Sequence, residues 1–262
     1  MKKLNLFLCK YLFPLIFSLL FLLSISACST FKANQEKANL HYSIGSSYYQ
    51  NGSYPLALKE YLKAQEYDDQ NSNIQNSLGL TYFMREKYDL SIKHFQKAIE
   101  LDNKFTDARN NLARAYTEVS KYKEAQKELN IVLADLTYGS IERAFNNLGY
   151  NYFMQKKYSE ARDAFKKALA NQPDNCFSQT YYGRSFFEEK DYAEASNSLD
   201  RAIEFCQKNL IDEPHYFSAL AYYRKGDIQK SIIRFEEVIK LYPNGKYNEK
   251  SKGMLAILRK AE

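Results

Sequence analysis

The 262-residue sequence has no Trp, only nine Gly and five Pro, and four Cys. Gly and Pro at about half of ordinary usage argue against turn-dense sandwiches, barrels and collagen. No HExxH, GxSxG, Walker-type or GxGxxG run occurs. The three histidines, His41, His94 and His215, do not converge on one place in the pattern described below. Acids are interspersed with Lys, as at Glu124, Lys127 and Glu128, which reads as a solvated helix face. An enzyme is therefore disfavoured, and no metal or cofactor is expected. Nor is there a telling excess of charge. The formal +6 includes Lys2, Lys3 and Lys10 of the N-terminal segment; without them 34 basic side chains face 31 acidic ones. A balance of +3 does not argue for nucleic acid. What is abundant is aromatic: 23 Tyr and 17 Phe. That is too much apolar surface for a disordered chain.

The N-terminus reads as an address. Lys2 and Lys3 precede an almost unbroken apolar run from Tyr11 to Leu23, followed by Ile25-Ser26-Ala27-Cys28. The run is short for a membrane-spanning helix. It resembles a bacterial lipoprotein signal, with the aliphatic, small, small, Cys order of a lipobox. The alternatives are a plain anchor or a cleaved secretory signal with an incidental Cys. The resemblance implies cleavage after residue 27 and lipidation of Cys28, whose thiol is the best available nucleophile. Two acyl chains anchor stably where one does not. Ser29, in place of Asp, points to the outer membrane, and residues 28–37 read as the lipidated Cys and its tether.

The remaining chain repeats. A small residue after an apolar one recurs at Gly45, Gly79, Ala113, Gly149, Gly183 and Ala221, with spacings of 34, 34, 36, 34 and 38. Three residues on stand Tyr48, Tyr82, Tyr116, Tyr152 and Phe186. Twelve on stand Ala57, Ser91, Ala125, Ala161 and Ala195. Sixteen on stand Tyr61, Phe95, Leu129, Phe165 and Leu199. The pattern resembles the tetratricopeptide repeat (TPR), with small residues at positions 8, 20 and 27 and aromatics at 11 and 24. It predicts an all-α TPR superhelix of about six helix-turn-helix repeats: 38–71, 72–105, 106–139, 142–175, 176–209 and 214–245. The sixth is read as contracted, because Ser231 follows Ala221 by only ten residues. Residues 246–262 read as a C-terminal capping helix. In such folds small residues let antiparallel helices approach and aromatics fill the space beside them.

The resemblance also implies that first helices line a concave partner-binding face. The corresponding residues are Tyr42, Tyr49, Asn76, Leu80, Phe83, Asn110, Arg114, Asn146, Tyr150, Phe153 and Arg184. Rings would supply contact area and Asn side chains would bond a peptide backbone. Tyr42, Tyr49 and Tyr150 are the expected exposed rings. Phe83, Phe153 and Phe187 either share that role or pack between helices. There is no Lys/Asn pattern of a carboxylate clamp. Cys176 and Cys206 lie at the same end of the fifth hairpin; they form either a disulfide or two separate buried thiols.

One resemblance is narrower. The residues before the fourth repeat, the Asn146-Asn147-Leu148-Gly149 run, Lys156-Lys157-Tyr158 with Ala161, Phe165 and Ala168, and the closing Leu241-Tyr242-Pro243 are similar to the type IV pilus pilotins. That family's members are outer-membrane lipoproteins that bind secretin subunits and promote their localisation and assembly. The resemblance implies a non-enzymatic scaffold with a protein partner and a lipid anchor on the periplasmic face of the outer membrane. An alternative is an envelope adaptor that recruits peptidoglycan hydrolases or joins an outer-membrane assembly or polysaccharide export complex.

Overall fold

The structure, a computed structural model, describes residues 32–206 and 211–260. The leader, the lipobox with Cys28, and residues 207–210 lie outside the described residues. Among the described residues thirteen helices follow one another: α1 (residues 32–50), α2 (Tyr54–Tyr67), α3 (Ser72–Met84), α4 (Tyr88–Leu101), α5 (Thr106–Glu118), α6 (Tyr122–Ala134), α7 (Ile141–Met154), α8 (Tyr158–Asn171), α9 (Cys176–Glu188), α10 (Tyr192–Cys206), α11 (Glu213–Lys225), α12 (Ile228–Leu241) and α13 (Asn248–Leu258). There is no strand among the described residues. The first helix begins earlier than the sequence suggested: residues 32–37, read as tether, are its exposed first turns. The chain falls into two compact units that divide at Ala108, near the start of α5.

Each hairpin closes by the same local chemistry. The side chain at position 24 of each repeat is fully buried or nearly so, at Tyr61, Phe95, Leu129, Phe165, Leu199 and Phe235. It lies against the small residue sixteen positions earlier. A Cβ on Gly79 would sit 2.6 Å from the ring of Phe95, and one on Gly149 would sit 2.7 Å from that of Phe165. The glycine is thus a close-approach position, and burying each ring stabilises the hairpin by about 1.5–3 kcal/mol. Position 20 is fully buried and small throughout, from Ala57 to Ser231.

The turn inside each hairpin is a Schellman motif, which satisfies the last carbonyls of the first helix. Lys87 N–H reaches Tyr82 O at 2.9 Å and Glu86 N–H reaches Phe83 O at 2.9 Å. The same pair of bonds recurs from Ser53 and Gly52, Lys121 and Ser120, Lys157 and Lys156, Asp191 and Lys190, and Asp227 and Gly226. The left-handed residue is Gly52, Glu86, Ser120, Lys156, Lys190 and Gly226 in turn, with φ between 58° and 88°. Four of the six carry a side chain in a conformation that favours glycine.

This series corrects the register of the sixth repeat. In the other five, the left-handed residue follows the small residue by seven. Counting back from Gly226 puts the small residue at Ala219, not Ala221. Ala219 is fully buried and packs with Phe235, sixteen residues on. The repeat therefore runs a full 34 residues from Asp212 to Gly245. Ala221 instead joins Ala195 and Leu199 of the neighbouring hairpin. No contraction exists.

The second unit carries two further closures. A disulfide joins Cys176 to Cys206 at the shared end of α9 and α10. Helix α13 buries Leu255 and Leu258 against Ala219 and Phe235, while Ile257 stays 58% exposed. Among the described residues nothing covers the first helix of the first unit in this way: Leu40 is 59% and Ile44 37% exposed. Their counterparts one repeat later, Ile74 and Leu78, are buried against α2.

Candidate functional site

In the first unit, the first-helix rings serve their own hairpins. Tyr42 packs on Tyr61 with centroids 5.7 Å apart, Tyr49 on Tyr54 at 5.4 Å, and Phe83 on Tyr88 at 5.4 Å. The last two pairs are one construction, an aromatic at position 12 set edge-on against a Tyr that opens the second helix. It returns in the second unit as Phe153 on Tyr158 (5.4 Å) and Phe187 on Tyr192 (5.6 Å). Position 12 is thus a hairpin clasp. Asn76 and Leu80 are half-buried.

The histidines are clasps as well. His41 bonds Glu60 at 2.7 Å, and His94 bonds Gln75 at 2.8 Å, in each case between positions 4 and 23 of one repeat. Arg109 and Glu128 fill the same two positions with an ion pair at 2.9 Å. His215, also at position 4 in the corrected register, bonds Glu237 at 3.1 Å. Burial lowers the pKa of His94 to about 4 and shifts that of His215 downward. Among the described residues no three His, Cys, Asp or Glu side chains gather as a metal site would.

The second unit assembles something different on its first-helix face. The Arg114 guanidinium lies 3.9 Å above the ring of Tyr150 and 5.2 Å from that of Phe177, with Nε–H donated to Glu118 at 2.9 Å. Tyr150 meets Tyr181 edge-on at 5.3 Å, and Phe153 meets Tyr181 at 5.0 Å. Arg184 then lies over Phe217 (4.1 Å), Phe153 (4.9 Å) and Tyr181 (5.1 Å). It bonds Glu213 and lies 3.6 Å from Glu188. Phe217 continues to Tyr247 at 5.7 Å. Rings and guanidiniums thus alternate along α5, α7, α9 and α11 to the start of α13. Such stacking contributes about 0.5–2 kcal/mol per contact as burial increases. Burial raises the pKa of Tyr150 and Tyr181 and pushes that of Tyr247 up to about 12, so all three remain phenols at neutral pH.

Of the sequence-selected residues, Arg114, Tyr150, Phe153 and Arg184 come together here. Tyr150 was expected to be exposed; it is only 7% exposed, because Arg114 covers it. The asparagines were expected to offer bonds to a peptide. Asn110 is 1% exposed, and its Oδ1 accepts from Asn147 Nδ2 at 2.9 Å. Asn146, 8% exposed, accepts the Ser178 hydroxyl. Both amides tie first helices to each other.

The residues missed are Phe177, Tyr181, Phe217 and Tyr247, together with Asn111 and Asn147. Asn111, Asn147, Tyr181 and Phe217 all stand at position 6. Position 6 faces the wall between positions 2 and 9, yet it was left out of the list implied by the family. Phe217 was hidden further by the shifted register. Beside the wall, between α5, α7 and α9, an open depression of about 250 Å³ is lined by Asn111, Arg114, Arg143, Asn146, Asn147 and Phe177.

Tetratricopeptide-repeat family models match residues 45–85, 72–105, 94–127, 142–175 and 218–245, which together cover more than half of the chain. The chain is a tetratricopeptide-repeat protein. Among solved structures, this TPR chain is similar to PilF of Pseudomonas aeruginosa, at 20% identity and a TM-score of 0.66, over 85% of this chain and 99% of that one. It is similar to PilW, described as a widely conserved type IV pilus biogenesis factor, at 16% identity and a TM-score of 0.73, over 81% and 97%. It also resembles a chain of the Cut9–Hcn1 hetero-tetramer of the APC/C, at 18% identity and a TM-score of 0.72, over 85% of this chain but 43% of that one. At these identities the likeness shows a shared fold. PilF and PilW are matched over almost their whole length, so this TPR protein resembles them in extent as well as in architecture. No curated protein sequence matches the chain.

Proposed function

We propose that this protein is a lipid-anchored, non-enzymatic scaffold of the outer membrane that binds secretin subunits and promotes their localisation and multimerisation in type IV pilus biogenesis. The observation that carries the reading is the guanidinium–aromatic wall of the second unit. It presents the guanidiniums and the half-buried rings of Phe177, Tyr181 and Phe217, with no cluster of catalytic groups around them among the described residues, as a surface that holds a protein client would. The end-to-end likeness to two TPR proteins, one of them described as a pilus biogenesis factor, narrows the client, and the Ile25-Ser26-Ala27-Cys28 segment supplies the address. Acylated Cys28 would stand four residues before the start of α1. The folded units would then work close to the membrane surface.

Deletion of the gene should abolish heat-resistant secretin multimers and twitching motility. Normal multimers would sink the secretin reading. Cys28→Ser should move the protein out of the membrane fraction with its helical circular dichroism unchanged, and unchanged fractionation would refute the anchor.

A further inference from the structure

We infer that the outer face of α13 docks an acidic amphipathic helix of a separate protein, which completes a seventh hairpin there. The corrected register ends the sixth repeat at Gly245. Helix α13 therefore belongs to a further repeat, with Lys246 at position 1 and Gly253 at position 8. In the earlier hairpins, positions 4, 8 and 12 of the first helix meet the second helix of the same hairpin. In α13 these positions are Glu249, Gly253 and Ile257, and all three are exposed. A Cβ on Gly45, Gly79, Gly149 or Gly183 would lie within 2.8 Å of the position-24 side chain, whereas one on Gly253 would meet nothing within 4 Å. Among the described residues no second helix follows α13. Its opposite face is committed: Leu255 and Leu258 pack against Ala219 and Phe235, and Asn248 Nδ2 donates to Tyr242 O at 3.0 Å. Helix α13 is thus a first helix, fixed in place, whose pairing face is open.

Shape and charge define the occupant. A helix that closes on position 8 carries a small residue at position 20 and a large apolar one at position 24, as α8 carries Ala161 and Phe165. On α13, Ala256 and Ile257 extend the strip opened by Gly253, and Ile257 is 58% exposed. Such a strip suits an amphipathic helix laid along it. Charge selects further. Residues 28–239 hold 28 basic and 29 acidic side chains, whereas residues 240–262 hold six and two. Glu249 is matched by Lys252 at 2.6 Å, and Arg259 by Glu236 at 2.6 Å. Lys246 and Lys250 stand over the Tyr247 ring, at 5.3 and 5.5 Å, and Lys260 lies beyond the other end of the helix. These three lysines flank the strip, so an acidic helix complements the face and a basic one does not. A second copy of the chain is a poor occupant, because its six described second helices already pack in hairpins of their own. The inference does not rest on the secretin reading.

The test is an NMR titration of the full chain in detergent, following the backbone amide of Gly253. The probe is a peptide of the α8 sequence, residues 158–171, with Arg162→Glu, Lys166→Glu and Lys167→Glu. It should shift the Gly253 signal and bind about tenfold more tightly than the unchanged α8 peptide, a preference that added salt weakens. Phe165→Ala in the acidic peptide should weaken it by about tenfold. In the protein, Gly253→Leu fills the open position. Its side chain meets open space and Leu favours a helix over Gly, so the melting temperature should hold or rise while peptide binding falls by about tenfold. Lys250→Glu with Lys260→Glu should remove the preference for the acidic peptide at unchanged melting temperature. Undiminished binding by the Gly253→Leu protein, or no binding at millimolar peptide, overturns the docking face. Equal binding of the acidic and unchanged peptides overturns the charge match. Self-association in sedimentation that Gly253→Leu removes would give the face to a second copy and overturn the separate partner. Each result leaves the secretin reading to the multimer assay.

Discussion

In the first unit, first-helix rings pack on tyrosines of their own hairpins, and the outer face of α1 keeps Leu40 and Ile44 open to solvent. In the second unit, guanidiniums roof the rings, a disulfide ties one hairpin, and α13 covers the last repeat. The same repeat positions thus serve two ends. Position 9 is Ser46 and Leu80 in one unit and Arg114, Tyr150, Arg184 and Leu220 in the other. The difference teaches that the repeat specifies how a hairpin closes, while positions 2, 6 and 9 are left to specify what its face offers.

The largest test of that division is core against edge. Phe165→Ala should destabilise the second unit by about 3–5 kcal/mol in urea unfolding. Leu40→Ser should stay within about 0.5 kcal/mol. Equal effects would break the contrast between a closed unit and an open edge. Reducing the disulfide, or replacing Cys176 and Cys206 with Ala together, should lower stability by about 3–4 kcal/mol for a loop of this length. The loss should be confined to the second unit, which hydrogen exchange can resolve by segment.

A smaller effect sharpens the comparison from the other side. His94 is half-buried and neutral, with its pKa lowered to about 4, whereas in the unfolded chain it titrates near 6.5. The unfolded state therefore gains the proton first as pH falls. The first unit should keep its full stability above pH 6.5 and lose it progressively toward pH 4. The loss should be on the order of 1 kcal/mol at pH 5.5, and absent in His94→Gln. Thermal melts across that range check the sign. Smallest of all, Lys156→Gly should raise stability by about 0.5–1 kcal/mol, because the native φ of 62° suits glycine. A fall in melting temperature would show that the lysine does more there than complete a turn.

The periodic core was legible in the sequence because positions 8, 20, 24 and 27 are fixed by contact between two helices. Gly79 must be small because Phe95 lies on it. The sixth register was not legible from one residue pair. Leu220-Ala221 imitates Leu112-Ala113; the twelve- and sixteen-residue spacings from Ala219 to Ser231 and Phe235, the handedness at Gly226 and the packing of Ala219 on Phe235 separate the two frames. That handedness is invisible at Glu86, Ser120, Lys156 and Lys190, where no glycine announces it. The binding face was half legible. Arg114, Tyr150, Phe153 and Arg184 follow from the repeat. The placing of Arg114 and Arg143 on one depression and the engagement of Asn110 and Asn146 depend on which neighbours each side chain meets across repeats.

The clasps of each hairpin join residues five, sixteen, nineteen, twenty-two or, at the disulfide, thirty apart, all within one repeat length. Contact order is therefore low, and each hairpin can close as soon as its second helix emerges during synthesis. A chain built this way can accrue its structure in the order in which it is delivered, with little occasion for distant segments to pair wrongly.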